Sequence, residues 1–183
     1  MGNAVAEKTF LEPERIVKNL GIEKGDHVAD FGAGHGYFTI SMAKTVGGDG
    51  KVYAIDIQKP VLDIIRSRAK LDHLLNIETV WADLDQPGGS KIKEKYLDLV
   101  IIANILFQAE NKAGLFQEAY RILREKGRLA VIEWDETPAP LGPPIEMRIK
   151  KDQVKRWAED AGLVADREFE AGSHHYGFVF RKP

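Results

Sequence analysis

Three glycines at alternate positions, Gly32, Gly34 and Gly36, interrupt an apolar run that begins at Val28 and resumes with helical spacing at Tyr37. A chain that turns sharply while its peptide groups approach a ligand needs residues without Cβ. A nucleotide or nucleoside is therefore the first ligand class the stretch suggests, against an ordinary glycine-rich turn. Carboxylates stand beside this loop and after two later apolar runs: Asp30, Asp56 and Asp83. Singly, Asp56 and Asp83 read as well as caps for the residues that follow them. Jointly, carboxylates closing three successive strands point to a binding edge, because ligands of open α/β sheets sit outside the carboxyl ends of the strands. His174 and His175 form a second candidate group. Imidazole titrates near neutrality and could take a proton from a hydroxyl or amine, or it could simply pack at a hairpin.

The elements that must carry these groups follow from periodicity. Pro13 suits a first helical turn, Ile16, Val17 and Leu20 share a face, and Gly21 suits a C-cap, which gives a helix over about 12–20. A strand over 27–31, a helix burying Phe38, Met42 and Val46, and a strand over 51–56 come next. Pro60 then opens a helix facing inward through Leu62, Ile65 and Ala69, and a short strand spans 76–80. The run Gln86-Pro87-Gly88-Gly89-Ser90 makes the following crossover short or irregular. Residues 97–103 are apolar almost throughout, as in a strand covered on both faces. A helix through Leu115, Phe116, Ala119, Ile122 and Leu123 should stop at Gly127, followed by a strand over 128–134 and a stiff proline-rich loop over 137–144. One more helix, with Val154, Trp157, Ala158 and Ala161 inward, precedes strands over 163–170 and 174–181. The connection Ala171-Gly172-Ser173 is so short that those two strands must be antiparallel. The expected class is α/β: a Rossmann-like open sheet, mostly parallel with one antiparallel strand near the C-terminus, and helices on both faces.

Composition narrows the functions. With 183 residues and 44% hydrophobic content, residues 1–183 fit one domain, with 1–22 as an N-terminal helical lid or cap to which Phe10 and Leu11 could contribute. A formal charge of −2 gives no reason to expect nucleic acid as a partner. The absence of cysteine removes disulfides, thiolate zinc sites and a cysteine nucleophile. The longest apolar run, Leu97 to Phe107, is interrupted by Asp98 and falls short of the roughly 20 residues of a membrane helix. With no secretory pattern at the N-terminus, the expectation is a soluble, cytoplasmic chain, free to form a homodimer.

A dinucleotide fingerprint, G-x-G-x-x-G, would need glycine at position 37, where this chain has Tyr37. An acidic residue followed by G-x-G-x-G, with Asp56 and Asp83 after the next strands, instead resembles the class I S-adenosylmethionine-dependent methyltransferases over about Val28 to Phe180. The resemblance implies S-adenosylmethionine as cofactor, with Asp30 and the Gly32, Gly34, Gly36 loop holding its amino-acid end. By the same resemblance Asp56 would accept both ribose hydroxyls, Ile57 beside it would also contact the cofactor, Asp83 and the Leu84 backbone would face the adenine amine, and Asn104 would close the pocket. The chemistry is consistent, since a vicinal diol and an amine are donors that acceptor-only groups satisfy. Lys126-Gly127-Arg128-Leu129 matches the family's turn into strand five, although a second glycine is common where Arg128 stands.

The acceptor is less defined. The Asn/Asp-Pro-Pro-aromatic signature of nucleobase and glutamine amino-methylation is replaced by Asn104-Ile105-Leu106-Phe107, and pyrimidine carbon-five and arsenite methylation need the missing cysteines. What remains resembles small-molecule methyltransferases related to the quinone-biosynthesis C-methyltransferases, in a shorter chain with less room for a substrate lid. Residues expected at the same sheet edge, and so able to touch a small-molecule substrate, are Glu133, Trp134, Glu146, Met147, Arg148 and one of His174 and His175. A metal site of these histidines with Glu133 and Asp135 is not expected, since neighbouring strand residues point to opposite faces. The rival readings are a non-catalytic S-adenosylmethionine-binding module or partner subunit, and an aminopropyl-type transferase.

Overall fold

Each apolar run of the sequence becomes a strand of one seven-stranded sheet, ordered β3-β2-β1-β4-β5-β7-β6. The computed structural model describes residues 11–183, so Phe10 and the start of the expected cap lie outside the described residues. In chain order the elements are α1 (Pro13–Asn19), β1 (His27–Phe31), α2 (Tyr37–Val46), β2 (Lys51–Asp56), α3 (Lys59–Leu71), β3 (Ile77–Trp81) and β4 (Leu97–Ala103). They continue with α4 (Lys112–Ile122), β5 (Leu123–Trp134), a single 3-10 turn (Ile145–Met147), α5 (Lys151–Asp160), β6 (Val164–Gly172) and β7 (His175–Arg181). Strands β1 to β5 pair in parallel, and β7 runs antiparallel to both neighbours, β5 and β6. It is the reversed strand that so short a connection between β6 and β7 demands.

Burial explains the two-sided apolar pattern of β4. Leu99 and Ile101 pack with α1 and α2 through Ile16, Val17, Phe38 and Met42, whereas Val100 and Ile102 pack with α4 and α5 through Leu115, Phe116, Val154 and Ala158. Each fully buried side chain of this size contributes about 1.5–3 kcal/mol relative to exposure. The sheet is held by both layers, and its carboxyl edge is left to the loops. Among the described residues, no helix is long and apolar enough to cross a membrane.

Two elements end elsewhere than the sequence suggests. Helix α4 stops at Ile122 rather than Gly127, because Leu123 turns to extended angles (φ −67°, ψ 135°) and pairs with Leu97 of β4. The carbonyls of Tyr120 and Leu123 are then taken by the Lys182 ammonium (2.6 and 2.7 Å), a cap supplied from sixty residues downstream. At the other site, β6 reaches Gly172 and β7 starts at His175, so the turn is Ser173-His174 and only His175 lies in a strand.

Between β3 and β4 the described chain forms no helix, as the Gln86–Ser90 run implies. The crossover is pinned instead by Glu118 of α4, 4% exposed. Its carboxylate accepts from the Ser90 amide (3.1 Å), the Ser90 hydroxyl and the Arg121 guanidinium (2.7 Å), and Arg121 also donates to Ile92 O (2.7 Å).

Candidate functional site

The carboxyl ends of β1, β2, β3 and β4 surround a cavity of about 590 Å³. Asp30, Gly32, Gly34, Asp56, Ile57, Asp83, Leu84 and Asn104 all line it, as does Leu11 at the start of the described chain. Gly36 does not. It occupies the left-handed position (φ 77°) that starts α2, where a Cβ would lie 2.7 Å from Ile65 Cγ1, so this glycine seats the loop against α3. Gly32 is required for the opposite neighbour: at φ 70°, a Cβ would come within 2.5 Å of Ile105 Cγ2.

Asp56 joins two backbone segments. Its Oδ2 accepts from the Gly34 amide (2.9 Å) and its Oδ1 from the Gln58 amide (2.8 Å). The N-cap of α3 is Gln58, so Asp56 is not the cap that sequence alone also allowed; it ties the glycine loop to the β2–α3 turn. Each of its oxygens keeps a further lone pair for a donor from the cavity. Asp83 Oδ1 accepts from the Asp85 amide (3.0 Å) in a turn that no helix continues, which likewise removes the cap reading there.

Asp30 is 2% exposed, and burial raises its carboxyl from 3.8 to about 6, opposed by the Thr39 hydroxyl, which donates to Oδ2 at 2.6 Å. The charge of Asp56 raises it further. Two carboxylates therefore share one cavity wall, an arrangement relieved by a cationic ligand. Asn104, after β4, sits at φ 57°, and its buried Oδ1 has no hydrogen-bond partner among the described residues. Also on the wall, and missed from sequence, are His35, Tyr37, Gln58 and Gln108. For His35 and Tyr37 the signal was their place within and after the glycine loop; for the two glutamines there was none.

The expected substrate residues gather elsewhere. Trp134 packs on His175 with ring centroids 4.2 Å apart, and the Arg148 guanidinium lies 5.3 Å over the Trp134 ring. Arg148 is buried and donates to three loop carbonyls, Pro143 (3.0 Å), Asp135 (2.7 Å) and Thr137 (2.7 Å), which makes it the fastener of the proline-rich loop. His175 is 3% exposed, and the His174 carbonyl accepts from the Asp135 amide (2.9 Å). Glu146 is exposed on the 3-10 turn. Trp134, Glu146, Arg148, His174 and His175 are not among the residues lining the cavity. Among the described residues no group of three or more His, Asp or Glu is arranged to hold a metal ion.

The chain is similar to known proteins. Residues 22–169 match a family described as a methyltransferase domain. A demethylmenaquinone methyltransferase of Lactiplantibacillus plantarum is 29% identical over 132 residues, 72% of this chain and 55% of that protein. A ubiquinone/menaquinone biosynthesis C-methyltransferase, UbiE, of Chromobacterium violaceum is 31% identical over 123 residues, 67% of this chain and 49% of that one. The chain thus spans about half the length of these relatives. Among solved structures, a SAM dependent methyltransferase from Aquifex aeolicus superposes with a TM-score of 0.86 at 26% identity, covering 95% of this chain and 91% of that one. The [4+2]-cyclase SpnF matches with a TM-score of 0.78 at 14% identity, over 93% of this chain and 80% of its own. That second likeness is one of fold, and the fold therefore carries reactions of more than one kind.

Proposed function

The chain belongs to the methyltransferase-domain family, and from that premise we propose that it binds S-adenosylmethionine at the sheet edge and transfers a methyl group to a small-molecule acceptor. The observation that carries this reading is the convergence of Asp30, Asp56 and Asp83 on one cavity whose floor is the glycine loop. The residues fit such a ligand. Asp56 offers two acceptors for a diol, Asp83 with the Leu84 backbone suits an adenine edge, and Asn104 Oδ1 is a buried acceptor awaiting a donor. Asp30 supplies the negative charge that favours an ammonium group.

When bound, the cofactor supplies an activated methyl group, so the protein's share is to align an acceptor and exclude water. Ala82, Ile105 and Leu115 give the cavity its apolar walls, and the β4 side, with Asn104 and Gln108, is where an acceptor would meet polar groups. The cavity's size falls in the range of roughly 300–1,000 Å³ usual for small-molecule sites.

The test begins with ligand identity. S-adenosylhomocysteine should raise the Tm by the stabilisation RT ln(1 + [L]/Kd), about 2.7 kcal/mol at a hundredfold excess over Kd, and nicotinamide dinucleotides should not. Phenols, quinone precursors, amines and carboxylates are then screened with methyl-labelled cofactor, reading product mass. A shift with dinucleotides alone overturns the cofactor. A larger gain in mass with this cofactor or its decarboxylated form, leaving 5′-methylthioadenosine, moves the reading to aminopropyl-type transfer, and cofactor binding with no transfer to any acceptor moves it to a binding module.

A further inference from the structure

Glu133 is the penultimate residue of β5, on the side where Val131 and Leu129 meet α4, and it is 0% exposed. Its Oε1 accepts from the Leu106 amide (2.8 Å), and its Oε2 has no hydrogen-bond partner among the described residues. Leu106 belongs to a single turn in which the Gln108 and Ala109 amides both donate to Ile105 O (3.0 and 3.1 Å). The same turn supplies Ile105, Gln108 and Ala109 to the cavity wall and rests Ile105 on Gly32. One buried carboxylate therefore stands behind one wall of the site without lining it.

We propose that Glu133 is a positioning residue: its carboxylate holds the Ile105–Ala109 turn as a wall of the cavity, and protonation releases that wall and weakens ligand binding. An ionised acceptor makes a hydrogen bond roughly twice as strong as a neutral one. Once protonated, Glu133 offers the Leu106 amide a neutral oxygen in place of a charged one, so the bond that holds the turn weakens. Burial lifts this carboxyl from 4.5 to about 7, against the pull of the Leu106, Trp134 and Ile105 amides, so the change falls near neutrality. The surrounding titratable groups are few. From α4, Lys112 favours the anion, although its ammonium donates to Ala109 O (2.7 Å). From β7, Tyr176 pairs across from Glu133 and donates to Ile149 O (2.7 Å), its phenol held above the ordinary range by burial and by the negative charges of Glu133, Glu136 and Glu168. His175 pairs across from Trp134.

The inference rests on the reading that the cavity takes an S-adenosyl ligand, and the test separates the two. In the wild-type chain the Leu106 amide resonance should titrate with a midpoint of about 7, and in Glu133→Gln, which keeps an acceptor and leaves every imidazole in place, it should not. Affinity for S-adenosylhomocysteine, measured by calorimetry, should rise roughly threefold or more from about pH 6 to about pH 8 in the wild type, and the part of that rise centred at about 7 should vanish in Glu133→Gln. Glu133→Leu, without an acceptor, should bind roughly tenfold more weakly than Glu133→Gln at the higher pH. A Leu106 resonance that does not titrate, or titrates equally in Glu133→Gln, overturns the proposal whether or not the variants are stable. Binding of the wild type with no pH dependence near 7 overturns it while leaving the cofactor reading intact. No binding by any form overturns both.

Discussion

Replacing Asp56 with alanine removes an acceptor that faces two ways, toward the Gly34 and Gln58 amides and toward the cavity. Hydrogen bonds to a charged acceptor contribute roughly 1.5–3 kcal/mol each, so loss of both amide contacts should lower the stability of the ligand-free chain by roughly 2–4 kcal/mol, discounted for partial access of water to the loop. Ligand affinity should fall by at least about tenfold, because every 1.4 kcal/mol is a factor of ten and two ribose donors lose their partner. A fall in affinity alone could come from a loosened glycine loop. The decisive assay is therefore a cycle with a ligand altered at the same contact: S-adenosylhomocysteine and its 2′-deoxy analogue, each titrated by calorimetry into the wild type and into Asp56→Ala. If the carboxylate holds the ribose, removing the 2′-hydroxyl weakens binding to the wild type by roughly tenfold or more and scarcely affects the variant, a coupling of about 1.5–3 kcal/mol. Equal losses in both proteins would refute the ribose role and leave Asp56 as a tether for the loop.

Asp30→Asn tests the opposing demands on a buried carboxyl. Since the folded chain holds this proton up to about pH 6 instead of 3.8, ionisation destabilises the fold progressively across that window and fully above it, by at most about 3 kcal/mol. The variant should therefore unfold at higher temperature than the wild type above about pH 6, with the advantage fading toward about pH 4, while S-adenosylhomocysteine binds roughly tenfold more weakly; a variant less stable at every pH would contradict the burial argument. Neither histidine of the hairpin lines the cavity, so His174→Gln and His175→Gln should each keep methyl-transfer rates within a fewfold of wild type; a loss of roughly 10² to 10⁴ in one of them would make that imidazole a general base after all.

What could be read from sequence was what depends on short-range pattern. The spacing of Phe38, Met42 and Val46, the two-sided apolar run of β4 and the short connection before β7 each encode their outcome locally. The carboxylates were legible as a set because parallel strands put their ends on one edge. The C-terminus of α4 was not legible, since Leu123 leaves the helix for a partner, Leu97, that only the folded sheet brings alongside. Arg148 read as a substrate contact because a long cation after a proline-rich loop carries no mark of where its donors go; the carbonyls of Asp135, Thr137 and Pro143 converge on it only when that loop has folded. Glu133 is the clearest case. Its partner is the amide of Leu106, twenty-seven residues earlier, and nothing in either stretch announces the pair.

The reversed strand also sets an order of assembly. Strand β6 is synthesised before β7, yet among the described residues its one neighbour in the sheet is β7, which lies along β5. Until residues 175–181 have emerged, the outer side of β5 is an unpaired edge bordered by Leu129, Val131 and Trp134, the kind of apolar template that invites pairing with another chain. Lys182, which caps α4, arrives later still. A chain without residues 175–181 would thus lose two strands from the sheet instead of one.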